Sequence, residues 1–233
     1  LMSNINICAQ DAYLALYPQS KKPVGVNWPD EGTSQEQALA TNGNLGLLLG
    51  PKSDVMDVDL DCTEAKEMAD LILPKPFAKF DRGTSDSGHY LYRATTCGPT
   101  KKFSGNGPKS TLVELRGDGS QTMIPPSIHP NGSHLRFTDI NQDAPEVKYA
   151  DLLKSVSFLA ACSEVAQRWV SGQRHELALS FSGLCLKQEV DPQLLVNIIQ
   201  RICKKTGDQE AQDRMNCART SVGKPHDELR GYN

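Results

Sequence analysis

The chain has 233 residues with 23% charged side chains, the make-up of an ordinary globular protein with room for one large domain or two modest ones. Its net charge of −3 excludes a global attraction for nucleic acid, so any such binding needs local basic patches. Seven scattered cysteines without C-x-x-C spacing favour free thiols, and the lack of a long apolar run or a signal-peptide pattern points to a cytoplasmic protein without a membrane partner.

The first clear element is "NLGLLLGP" (44–51), too short and too bounded by Gly and Pro for a helix, which predicts a strand ending in a turn. A second strand begins near Asp54 and reads "VMDVDLDC" (55–62). Alternate side chains of a strand share a face, so Asp57, Asp59 and Asp61 point one way and Val58 and Leu60 the other. Carboxylates crowded on one face repel and need a counter-charge, which a divalent cation supplies. A strand with one solvated acidic face is the plainest alternative. An EF-hand loop is excluded, because its sixth and twelfth positions hold Cys62 and Met68 rather than Gly and Glu. A phosphatase of the aspartyl-phosphate type fits only the D-x-D itself.

Next, "RGTSDSGHYLYR" (82–93) reads as a Gly/Ser turn feeding a strand, with His89, Leu91 and Arg93 on one face. "STLVELRGDGSQTMIPPS" (110–127) supplies another strand with Glu114 and Arg116 on one face, a turn at "RGDGS", and an extended return. "HLRFT" is a further short strand, and "TDINQDAPE" (138–146) is the expected linker. From about Glu146 the periodicity becomes helical: "YADLLKSVSFLAACSEVAQRWV", "RHELALSFSGLCLKQ", then "VDPQLLVNIIQRICKKTG". That third helix opens with Asp191 placed to cap and Pro192 in its first turn, and closes on Gly207. A last amphipathic stretch runs from Gln209 to Arg219. The overall expectation is an α+β chain, with a mixed-sheet domain over 1–145 and a helical domain over 146–233.

The order of an acidic D-x-D strand, "SGH" at the head of a strand, and "VELRGDGS" before "PPS" resembles the bifunctional primase/polymerase family of the archaeo-eukaryotic primase superfamily. "KKPVGVNWP" upstream and "IHPNGSHLRF" downstream extend the likeness through most of the first 140 residues, and the remainder is similar to the helix-bundle domain that follows the catalytic domain in such replication proteins. By that resemblance Asp57 and Asp59 match the first motif and bind catalytic Mg²⁺ or Mn²⁺. Ser87 and His89 match the second, whose histidine contacts the nucleotide triphosphate, and Glu114 matches the third and completes the metal site. Asp61 has no fixed role in the pattern and is expected to stand behind the ligands or face solvent. Arg116 is a phosphate contact by position alone.

The resemblance implies template-directed nucleotidyl transfer, with primer synthesis and extension in plasmid, phage or mobile-element replication. Single-stranded DNA is the implied template and dNTPs or NTPs the substrates. No P-loop occurs, although many relatives carry a helicase motor further along the chain, so a replicative helicase is an expected partner. Arg201, Lys204 and Lys205 near a helix C-terminus are candidate template contacts, or simply a solvated turn favoured by the helix dipole. Two rival functions use the same residues: a replication-initiation module that binds DNA without catalysis, and a metal-dependent phosphohydrolase.

Overall fold

The computed structural model describes residues 7–8, 11–83, 87–106 and 111–231. They fall into two compact units, one of Leu1–Thr63 and Pro74–Ser157, the other of Glu64–Leu73 and Phe158–Asn233.

The first unit holds the strands. β1 is Tyr13–Leu16, followed by the short helix α1, Gln35–Leu39, and by β2, Asn44–Leu48. α1 begins with a reciprocal cap in which the Ser34 side chain accepts from the Gln37 amide and the Gln37 side chain accepts from the Ser34 amide. The turn after β2 passes through Gly50 at φ 92°, where an added Cβ would lie 2.8 Å from the Asp118 backbone. Only glycine fits there, and the turn delivers the chain into β3, Val55–Leu60.

After α2, Thr63–Ile72, come β4, Ala78–Asp81, β5, Gly88–Thr96, β6, Lys101–Ser104, and β7, Thr111–Arg116. β8, Gln121–Ile124, β9, Arg136–Ile140, and β10, Val147–Lys148, complete the strands. β1, β2 and β8 form a three-stranded sheet; a seven-stranded sheet runs β6-β7-β3-β5-β4-β9, with β10 added beside β5. Among the described residues, the named strands pair antiparallel except β10 with β5, so the mixed character expected of the sheet rests on that short strand.

The apolar alternation of β3 is realised: Met56, Val58 and Leu60 are fully buried on the face opposite the aspartates. On the aspartate side, Phe77, Phe80 and Leu91 join Leu14, Leu16, Leu45, Leu47 and Ile124 of the small sheet in one core. That packing covers part of the acidic face and leaves the rest open as a cleft.

The helices of the second unit are α2, the later part of α3 (Tyr149–Gln167), α4 (Arg174–Lys187), α5 (Pro192–Thr206) and α6 (Ala211–Ser221). α5 starts as the sequence predicts, with the Asp191 side chain accepting from the Leu194 amide at 2.7 Å, and ends at left-handed Gly207. α4 packs on α6 and α5 packs on both. Gly183 of α4 has no room for a Cβ, because the Arg230 carbonyl oxygen would lie 1.6 Å from it. The segment 138–146, where a linker was expected, contains the end of β9 and leads directly into β10. The start of α3 stays with the strands, since the Tyr149 amide donates to Thr96 Oγ1 and its hydroxyl to the Pro99 carbonyl. The change of unit therefore falls inside α3, between Ser157 and Phe158.

Candidate active site

Strand register assembles the site. Asp59 of β3 lies directly opposite His89 of β5 on one side and Glu114 of β7 on the other, and Asp57 lies opposite Arg116. Directly paired residues in a sheet share a face, so these side chains converge. Asp61 joins them because the ladder runs on past β3, with the Asp61 amide donating to the Leu112 carbonyl at 3.1 Å. Carboxylate oxygens of Asp59, Asp61 and Glu114 lie within 4.8 Å of one another. The crowding is visible in the proton affinity of Asp61: burial first, then the charges of Asp59 and Glu114, raise its pKa to about 6.

Asp57 sits beneath this group, fully buried, and outside it. Its two oxygens lie 3.0 and 3.2 Å from His89 Nδ1, and Arg116 Nη1 is 3.9 Å away. Burial alone would push the Asp57 carboxyl up; the charge and hydrogen bond of His89 and the charge of Arg116 more than offset it and hold the pKa down. Burial likewise works against a charged His89, but Asp57 and Asp59 prevail and raise its pKa, which favours the imidazolium. The ring stacks on Phe80 with centroids 4.5 Å apart and planes 6° from parallel, and its Nε2 stands 3.6 Å from Asp59 Oδ1. A buried carboxylate and an apolar floor thus fix one orientation of the ring.

Above these residues lies a cleft of about 420 Å³, within the range of nucleotide-sized ligand pockets. Asp59, Asp61 and Glu114 form its acidic patch, and Lys21, Arg82, His89 and Arg116 bring positive charge to the same space. Arg82 donates to Ser87 Oγ at 2.6 Å, and Arg116 donates to the Gln121 carbonyl at 2.6 Å, which anchors each guanidinium at the rim. The donor set of the acidic patch is oxygen only, the chemistry that hard cations such as Mg²⁺ and Mn²⁺ take.

The structure brings together Asp57, Asp59, Ser87, His89, Glu114 and Arg116. Arg201, Lys204 and Lys205 lie in the helical unit, where Arg201 donates to the Glu67 carbonyl at 2.9 Å and Lys204 and Lys205 are exposed. Sequence reasoning put Asp61 on the acidic face without giving it a metal-binding role, and did not place Lys21, Arg82 or His129 on the cleft wall. Lys21 and His129 both lie in segments that carry the family likeness, and Arg82 opens the stretch "RGTSDSGH", whose residues 84–86 lie outside the described residues.

Three carboxylates thus stand beside a cationic wall on an antiparallel sheet, a charge arrangement that could take a polyanionic ligand together with cations. The family described as bifunctional DNA primase/polymerase, N-terminal, matches residues 9–148, which contain the whole of this site. The chain belongs to that family, whose members carry out nucleotidyl transfer of the primase and polymerase type. A search of curated proteins finds no match.

Proposed function

We propose that the protein joins nucleotides on a single-stranded DNA template, starting primers as well as extending them, in the replication of a plasmid, phage or mobile element. The observation that carries this reading is the convergence of Asp59, Asp61 and Glu114 beside His89 and Arg116 inside the family-matched segment. Asp59 and Glu114, paired across neighbouring strands, are the core of the metal-holding group, with Asp61 at the mouth and Asp57 below. Bound as a pair, Mg²⁺ or Mn²⁺ ions would ease deprotonation of the attacking 3′-hydroxyl and neutralise the leaving pyrophosphate.

The other residues bind and orient. His89, held as an imidazolium by Asp57, presents Nε2 to the triphosphate, and Arg116, Arg82 and Lys21 complement the remaining phosphate charge. Asp57 also keeps the His89 ring from turning, so the donor is in place before the nucleotide arrives. We assign the helical unit to the helix-bundle domain of such replication proteins and propose that Lys204 and Lys205 meet the template backbone.

Incubating the protein with unprimed and primed single-stranded DNA, labelled dNTPs or NTPs and Mn²⁺ tests the reading. A primase/polymerase makes labelled oligomers on both templates. Release of inorganic phosphate without oligomers points instead to a phosphohydrolase, and template binding with neither product to a non-catalytic initiation module.

A further inference from the structure

A second convergence of donor atoms lies in the helical unit. His175 stands in the first turn of α4, and Asp213 and Cys217 are four residues apart on α6, which places them on one face. A single imidazole nitrogen, His175 Nδ1, lies 2.9 Å from Asp213 Oδ2 and 3.8 Å from Cys217 Sγ. Donor atoms of all three residues fall within 4.8 Å of one another.

Those separations are close to the edges of a zinc tetrahedron. With bonds of about 2.0 Å to N and O and about 2.3 Å to S, tetrahedral angles put N and O about 3.3 Å apart and N and S about 3.5 Å apart. Shifts of a few tenths of an ångström would reach both values, and exposed side chains can make them. Cys217 is 4% exposed, whereas the His175 and Asp213 side chains are each 52% exposed. An ion here would have protein on one side and a fourth position open to water. Arg214 donates to the Asp213 carboxylate and is itself tied to Glu210 and Asp208, the kind of outer support that fixes a ligand's orientation.

We propose that His175, Asp213 and Cys217 form a binding site for a zinc-type divalent cation that clamps the first turn of α4 to α6. The sulfur and nitrogen donors select a borderline-soft ion over the Mg²⁺ or Mn²⁺ suited to the cleft. On coordination the Cys217 thiol gives up its proton to solvent and the sulfur binds as thiolate. The Nδ1 hydrogen that His175 donates to Asp213 is given up as well, so that the ring is neutral with its hydrogen on Nε2; no oxidant or reductant is involved. Without an ion, the same residues are an exposed, hydrogen-bonded histidine and carboxylate beside a buried thiol.

Titrating metal-free full-length protein with Co²⁺ separates the two. The proposal predicts tetrahedral cobalt bands in the visible and a thiolate-to-cobalt charge-transfer band in the near ultraviolet, both bleached by Zn²⁺. Cobalt in the all-oxygen cleft gives no sulfur band. Cys217→Ser should remove the charge-transfer band, and His175→Ala, at an exposed position that leaves folding intact, should weaken Co²⁺ binding by about tenfold or more. Zn²⁺ should also raise the thermal midpoint of the wild type and not that of His175→Ala. Absence of the sulfur band in the wild type, or its survival in both variants, would overturn the proposal.

Discussion

Asp57 and Asp59 are two residues apart on the same face of β3, yet their surroundings give them different tasks. Asp59 is crowded by carboxylates; Asp57 is enclosed by cations. Replacing Asp59 with Ala removes one of several like charges, so stability should hold or rise slightly while catalysis is lost. Asp57→Ala instead leaves His89 and Arg116 without their buried counter-charge, and breaking such a pair from one side costs about 3 kcal/mol or more. Urea melts of the two variants check this contrast. Equal stability would mean that Asp57 does not hold His89 as described. From the sequence the two aspartates look equivalent, because alternation places both on one face and says nothing of what lies opposite. The difference comes from strand register, which pairs Asp59 with His89 and Glu114 and Asp57 with Arg116, and register depends on contacts distant in the chain.

At the scale of elements, the helical unit is organised around one buried carboxylate. Asp208 accepts from Trp169 Nε1 at 2.9 Å, from the Glu210 amide at 3.1 Å and from Arg214 Nε at 3.3 Å, with Arg174 Nη1 at 3.4 Å. Burial pushes its pKa up, but these hydrogen bonds and charges outweigh burial and hold it below the usual range. A depressed folded pKa means that the stabilisation is complete above the unfolded value of about 3.9 and is lost as pH falls through the folded value. The stability difference between wild type and Asp208→Asn should therefore be flat from pH 5 to 7 and shrink below about 4. Trp169 fluorescence in a Trp28→Phe background follows the transition. A difference that instead changed between pH 6 and 8 would assign the effect to another group.

A turn can be tested in the same way. Gly50→Ala should destabilise the strand unit, because the residue sits at φ 92° with the Asp118 backbone against it. Thermal melts would show a lowered midpoint, and an unchanged one would mean that the turn relaxes freely. Most long elements were legible: β3, β5 and β7 from alternation, and α5 from its Asp-Pro start and Gly stop. β1 and α1 are too short to carry a period. α2 was passed over although Ala65, Met68 and Ala69 are buried at helical spacing, since its remaining residues are polar and it directly follows the acidic strand.

On the scale of the whole chain, the two compact units interleave in sequence. α2, from the middle of the strand region, belongs with the helices, and β10 and the start of α3 belong with the strands. A simple truncation near residue 145 therefore removes parts of both units, and it is a poor test of how labour is divided. Charge reversal in the full chain is cleaner. Lys204→Glu with Lys205→Glu alters exposed side chains only, so folding and primer extension should be retained. De novo initiation, which must hold two free nucleotides on a single strand without a duplex end, should fall and become less sensitive to salt. Unchanged initiation over a salt series would remove these lysines from the template path.

The acidic group on β3 and β7 is the centre on which the functional reading turns. Mn²⁺-dependent extension of a primed template by wild type, Asp59→Asn and Glu114→Gln tests it most directly, since both variants keep side-chain shape and remove charge alone. We predict template-dependent extension by the wild type and none above background by either variant, with circular dichroism spectra that superimpose. Extension by both variants at the wild-type rate would contradict the assignment of this cleft as the nucleotidyl-transfer site.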